Sequence, residues 1–296
     1  MKFLVTGSAG LIGNQIVHDL EKSEQTVYSC YNKMKPVFGI PTKLDLINLE
    51  NIGKIIKQIH PDVVIHSAAL TDVEKCDTDI ELANILNVKA TEVIASEAEK
   101  IDSHLMYIST DYVFDGKKGL YAETDLTNPL NNYGKTKLFG EKIIQNKNSN
   151  WSIIRTSTPF GLHSFKKTFP TWVYENLKNK KKINILEDQF TSPTYVPNLS
   201  KMIFEIISRN LEGFFHLSGS TKISRFEFAK MIATKFNLDS TLLNPVRIDT
   251  MDWKAIRPID SSLDVSKVNS LLKIKPISIK QSLDEYSLQL TNSFSL

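Results

Sequence analysis

The stretch Lys2–Gly13, KFLVTGSAGLIG, sets a short apolar run, three glycines (Gly7, Gly10 and Gly13) and the start of a helical pattern end to end. Ile12, Ile16, Val17 and Leu20 then recur at helical spacing. A loop that leaves a buried strand and opens a helix lets backbone approach a pyrophosphate closely, with the helix N-terminus facing the charge. Glycines also gather in ordinary turns, so the strand before the loop and the helix behind it decide for a dinucleotide. The three-residue spacing from each glycine to the next departs from the G-x-G-x-x-G form and marks a related class of nucleotide binders. Gly7, Gly10, Leu11, Ile12 and Gly13 are therefore expected at the cofactor.

Outward from the loop the first half alternates. TVYSCY, DVVIHSA, HLMYIST and WSIIRTS read as strands; LENIGKIIKQI and ANILNVKATEVIASEAEK read as helices. Strands that are apolar throughout, interleaved with helices, predict an α/β fold with a Rossmann-type, doubly wound parallel sheet. After Arg155 the rhythm loosens, but VPNLSKMIFEII reads as a helix and GFFHLSG as a strand that returns to the sheet. Residues 1–157, with a return segment 190–218, are expected to form the cofactor domain. Residues 158–189 and 219–296 are expected to form a smaller, C-terminal substrate-binding lobe. Ser224 and Glu227 have capping-box spacing at a helix start.

With 296 residues, 41% of them hydrophobic and 23% charged, the chain is long enough for a sizeable core and is not of disordered composition. A net charge of +3 gives no reason to invoke nucleic acid. Cys30 and Cys76 offer no disulfide framework, and no signal-like or membrane-length apolar stretch stands out, so a cytoplasmic protein is expected. The six histidines form no metal-ligating pattern, and no metal is expected.

The end of the second strand bears on which dinucleotide binds. A carboxylate there would hold the adenine ribose 2′-hydroxyl of NAD; the residues are Cys30-Tyr31-Asn32-Lys33. Lys33 suits a 2′-phosphate, which favours NADP, with NAD left open. Asp45, followed by Leu46 in KLDLIN, is placed to accept from the adenine amino group.

In NNYGKTKLFGE, Asn131–Glu141, Tyr133 and Lys137 stand four residues apart and share a helix face. An isolated Y-x-x-x-K pair is most often ordinary surface. Together with TGSAGLIG, SAALTDVEKCD, STDYVFDG, DQFTSPT and AIRPIDSSLD, however, it resembles the dTDP-4-dehydrorhamnose reductase family of extended short-chain dehydrogenase/reductases, over nearly the whole length.

The resemblance implies NADPH-dependent reduction of the 4-keto group of a nucleotide-linked 6-deoxyhexose, with dTDP-4-dehydro-L-rhamnose first among candidates. It makes Tyr133 the general acid, Lys137 its partner and holder of the nicotinamide ribose, and Thr110 the donor to the substrate carbonyl. Ala68 and Ala69 would line the cofactor, Thr71, Val73 and Glu74 the sugar, and Arg155–Ser157 and Pro193 the pocket wall. Asp111, Tyr112 and Asp115 can simply form the turn after the strand. Ketone reduction needs a hydride at carbon and a proton at oxygen, and a nicotinamide supplies only the first. An ammonium beside the phenol is expected to lower its pKa. Where the family commonly has a tryptophan, this chain has Thr158, with Trp172 and Trp253 as other aromatics for the pocket. A homodimer is open under this resemblance. So are another nucleotide-sugar reductase or epimerase and, from a different class, the cofactor-binding regulatory beta subunit of methionine adenosyltransferase, whose partner would be that enzyme.

Overall fold

The computed structural model describes residues 1–293. Seven strands form one sheet: β1 (Lys2–Thr6), β2 (Thr26–Tyr31), β3 (Ile40–Lys43), β4 (Val63–His66), β5 (His104–Thr110), β6 (Trp151–Thr156) and β7 (Gly213–His216). Their order is β7-β6-β5-β4-β1-β2-β3, every pair parallel. The strand order reverses direction at β1, and a crevice outside the C-terminal strand ends at such a switch point is where ligands bind in open α/β sheets.

Among the described residues, eight helices of eight or more residues accompany the sheet: α1 (Leu11–Lys22), α2 (Leu49–Ile59), α3 (Ala90–Lys100), α4 (Asn132–Lys147), α5 (Phe169–Lys178), α6 (Val196–Ser208), α7 (Arg225–Lys235) and α8 (Ile279–Ser293). Alternation along β1 explains the two layers. Phe3 and Val5 point to one face, where Ile16, Val17 and Leu20 of α1 meet Met202, Ile203 and Ile206 of α6. Leu4 points to the other, against Ile52 and Ile56 of α2, Ile94 and Ala95 of α3 and Ile144 of α4. No helix among the described residues is long and apolar enough to cross a membrane.

The expected strands and helices of the first half appear, and β7 returns to the sheet beside β6 as predicted. One helix differs: α3 is preceded by a π-helical turn, Ile85–Lys89. Asn87 in that turn is buried; its side chain accepts from Leu70 N and donates to Leu70 O and Thr136 Oγ1. One amide thus ties the turn to the segment after β4 and to α4, which repays the widened backbone; such turns recur at functional sites.

A separate apolar cluster joins α5, α7 and α8 through Val173, Leu177, Phe228, Ile232, Leu283 and Tyr286. Ile183–Leu186 and Leu243–Val246 pair in parallel beside it. Ser224 caps α7 by accepting from Glu227 N at 3.1 Å. The reciprocal half of the expected box is not made, because the Glu227 carboxylate pairs with Lys230.

Candidate active site

The glycine loop is shaped by close approach. Gly7 has φ +68°, and a Cβ there would lie 2.9 Å from Ala68 Cα. A Cβ on Gly13 would meet Gly7 O at 2.3 Å. Gly10 is the N-cap of α1 and offers no side-chain cap, so the first N–H groups of the helix remain for an anion. Thr6 Oγ1 accepts from Ala68 N at 3.1 Å and pairs with His66 Nδ1 at 2.8 Å, joining the ends of β1 and β4. A cradle that side chains would fill, at an uncapped helix start, fits a dinucleotide pyrophosphate.

A cleft of about 590 Å³ runs from the ends of β2 and β3 past this cradle at β1 to Thr110 at the end of β5 and to Tyr133 and Lys137. Gly7, Gly10, Leu11, Ile12, Lys33, Asp45, Leu46, Ala68 and Ala69 line it, as do Thr71, Val73 and Thr158. Gly13 and Glu74, also expected there, do not. Gly13 lies behind the loop as packing against Gly7, and Glu74 spends its carboxylate on Lys254 N at 3.0 Å and Arg257 Nη2 at 3.3 Å.

Asn131 caps α4 by accepting from Gly134 N at 2.9 Å, which sets the first turn carrying Tyr133. Lys137, one turn on, is buried: its Nζ donates to Ile108 O at 2.7 Å and lies 3.9 Å from the centroid of the Tyr107 ring. Burial brings its pKa down from 10.5 to about 7, against the pull of Glu141. The Tyr133 phenol is pushed up, first by burial, while its hydrogen bond with Thr110 works the other way. The expectation of a lowered phenol pKa is thus reversed in the free protein. Burial sets the direction, and Asp111, Cys76 and Tyr112 nearby push the same way. The phenol is held protonated, as a proton donor must be.

Thr110 ends β5. Its Oγ1 donates to Asp111 Oδ1 at 3.0 Å and accepts from Tyr112 N at 3.2 Å. Asp111 does more than form a turn. It lines the cleft, is buried, and its other oxygen accepts from Ser157 Oγ at 2.7 Å and Ser261 Oγ at 2.6 Å. Burial raises its pKa in spite of these three hydroxyls. The Tyr112 ring stands edge-on to Tyr133 at 5.9 Å.

The expected wall of Arg155–Ser157 and Pro193 is placed otherwise, except for Thr156, which lines the cleft. Arg155 is buried between the Phe114 and Phe214 rings and pairs with Glu141, Nη2 to Oε2 at 2.7 Å. Ser157 is spent on Asp111, and Pro193 lies off the cleft, its carbonyl against Gly219. Thr158 stands at the cleft with φ +42°, a left-handed conformation rare for a β-branched residue. Trp253 stacks on Arg257 at 4.0 Å, and Trp172 packs toward Phe169 at 6.1 Å; neither lines the cleft.

Two cations arrive from the second half of the chain, Lys166 and Arg225. No local motif announces either, since each depends on a contact far along the chain. Lys166 is brought by His163, whose Nδ1 accepts from Phe165 N and Lys166 N at 3.1 and 3.0 Å. With Nδ1 accepting, Nε2 carries the proton and donates to Ala9 O in the glycine loop at 3.2 Å.

The model of the RmlD substrate binding domain family matches residues 1–292. The chain belongs to this family. It is similar to methionine adenosyltransferase 2 subunit beta of Xenopus tropicalis, 31% identical over 276 residues, which are 90% of this chain and 81% of that one. It is also similar to dTDP-4-dehydrorhamnose reductase of Aggregatibacter actinomycetemcomitans, 29% identical over 93% of this chain and 94% of the relative. Among solved structures, dTDP-4-dehydrorhamnose reductase of Bacillus anthracis in complex with NADP superposes with a TM-score of 0.89 at 28% identity, over 97% of this chain and 99% of that one.

Proposed function

We propose that this family member is an NADPH-dependent reductase of the 4-keto group of a nucleotide-linked 6-deoxyhexose, with dTDP-4-dehydro-L-rhamnose the first substrate to try. The observation that carries the reading is the meeting of Thr110, Tyr133 and Lys137 in one cleft with the glycine cradle. The NADP-bound relative from Bacillus anthracis supports the cofactor, and Lys33 at the cleft in place of a carboxylate supports NADP over NAD.

In this reading the nicotinamide supplies hydride to the carbonyl carbon. Tyr133, protonated by virtue of its burial, gives its proton to the carbonyl oxygen. Thr110 donates a hydrogen bond to the same oxygen once its hydroxyl turns from Asp111. Lys137 holds the ribose hydroxyls and, when charged, steadies the phenolate left behind. Residues 1–157 with 190–218 serve the cofactor, and 158–189 with 219–296 the sugar nucleotide. Free Cys30 and Cys76 suit a cytoplasmic setting. Thr158 at the pocket, where the family commonly carries tryptophan, argues for testing several 4-keto sugars. The test mixes protein, NADPH and enzymatically prepared dTDP-4-dehydrorhamnose and follows the loss of reduced-nicotinamide absorbance.

A second reading, a regulatory subunit of methionine adenosyltransferase, is favoured by the 31% identity to the beta subunit. Under it, no sugar is reduced, and the protein alters that enzyme's kinetics whether or not Tyr133 is intact.

A further inference from the structure

Arg225, at the start of α7, reaches the cleft beside Asp111 and Tyr112. The four other arginines each pair with a carboxylate: Arg155 with Glu141, Arg209 with Glu205, Arg247 with Asp188 and Arg257 with Glu74. Arg225 has no such pair among the described residues. Its guanidinium makes one long hydrogen bond, Nε to Gln189 Oε1 at 3.4 Å, and lies 5.2 Å from the centroid of the Phe169 ring. The neighbouring Asp111 already accepts from three hydroxyls, and burial favours its neutral form. Burial and the charge of Arg257 both work against the Arg225 cation. Arg257 lies near Tyr112, and its own Nε is buried without a partner. Arg225 thus stands half-buried at the cleft with no carboxylate pair among the described residues, a cation open to an anionic ligand.

We propose that Arg225 binds the diphosphate of the sugar nucleotide. This rests on the nucleotide-sugar reading above. A hexose whose C4 carbonyl meets Thr110 and Tyr133 carries its diphosphate on C1, across the ring. Tyr112 packs edge-on to Tyr133 and lies beside Arg225, and all three line the cleft, so the cation stands one residue removed from the proposed acid. The glycine cradle and the start of α1 already answer the cofactor's own pyrophosphate, so a second anion is called for. A guanidinium fork matches phosphate oxygens two at a time.

The experiment titrates dTDP, UDP and the two parent nucleosides into full-length protein with NADP⁺ present. Wild type is expected to bind a diphosphate more tightly than its nucleoside. Arg225→Gln is expected to weaken that binding roughly ten- to a hundredfold, the usual range for a lost charge-assisted hydrogen bond. Arg225→Lys, which keeps the charge without the fork, is expected to lose less, and NADPH binding is expected to be unchanged in both, which also reports folding. Diphosphate affinity equal to wild type in a folded Gln variant, or in the Lys variant should the Gln variant not fold, overturns the inference and leaves the reductase reading standing. If wild type prefers neither diphosphate over its nucleoside, the nucleotide-sugar reading falls with it.

Discussion

The Ile108 carbonyl and the Tyr107 ring 3.9 Å away hold the Lys137 ammonium, but no carboxylate touches it and burial works against its charge. In Lys137 burial lowers the pKa from 10.5 to about 7, so the unfolded chain binds more protons than the folded one between those values. The stability this lysine contributes is therefore present above pH 10.5 and lost as pH falls toward 7. Lys137→Met removes the charge to be buried. It is expected to be more stable than wild type near neutral pH, by a margin that shrinks toward pH 10, as denaturant titrations at several pH values would read. A margin independent of pH would contradict the assignment. The same variant is expected to lose turnover and cofactor affinity together, because one ammonium would serve both. Tyr133→Phe keeps the ring against Tyr112 and removes only the acid. Folding and NADPH binding are expected to survive while kcat falls by about 10²–10⁴-fold, the usual contribution of general acid catalysis.

Elements place these residues, and most of them were legible. β1, α1 and the loop between them could be read because a buried parallel strand is apolar on both faces and the helix repeats at its own period. The loop's demand is steric: Gly13→Ala sets a methyl against the Gly7 carbonyl, and cofactor binding is expected to fall markedly in titration, with little loss if the loop were an ordinary turn. α4 was legible from its Tyr133–Lys137 spacing, but its footing was not. Asn131 caps the helix and also donates from Nδ2 to Ile256 O at 2.8 Å, tying the helix start to a segment 125 residues away. Asn131→Ala is expected to cost about 1 kcal/mol of stability for the cap alone, read from denaturant midpoints. The π turn before α3 escaped reading because Asn87 makes its case only through tertiary partners. Asp111 was read as a turn residue, since nothing local to it predicts Ser157 and Ser261 as donors.

Across the whole molecule the sheet supplies one wall of the cleft and the second half of the chain the other. The cofactor side was readable from contiguous motifs. Lys166 and Arg225 were not, because they reach the cleft from after β6 and are placed by His163 and by the start of α7. Beneath the cleft the Arg155–Glu141 pair, both buried, joins β6 to α4, and Ser109 Oγ also donates to Glu141 at 2.6 Å. Removing one partner of a buried pair leaves the other charge uncompensated, so Glu141→Ala is expected to destabilise by about 3–5 kcal/mol, measured by thermal or denaturant unfolding. Lys33→Ala is expected to erode a preference for NADPH while leaving NADH binding nearly unchanged; a wild type that prefers NADH would contradict the role given to Lys33. The central claim is that this cleft reduces a sugar ketone with Tyr133 as acid. The most direct measurement follows NADPH absorbance with dTDP-4-dehydrorhamnose, then a panel of other nucleotide-linked 4-keto sugars, for wild type and Tyr133→Phe side by side. The account predicts turnover of at least one sugar by wild type and its loss by orders of magnitude in the variant; no turnover of any sugar, or equal turnover by both proteins, would contradict it.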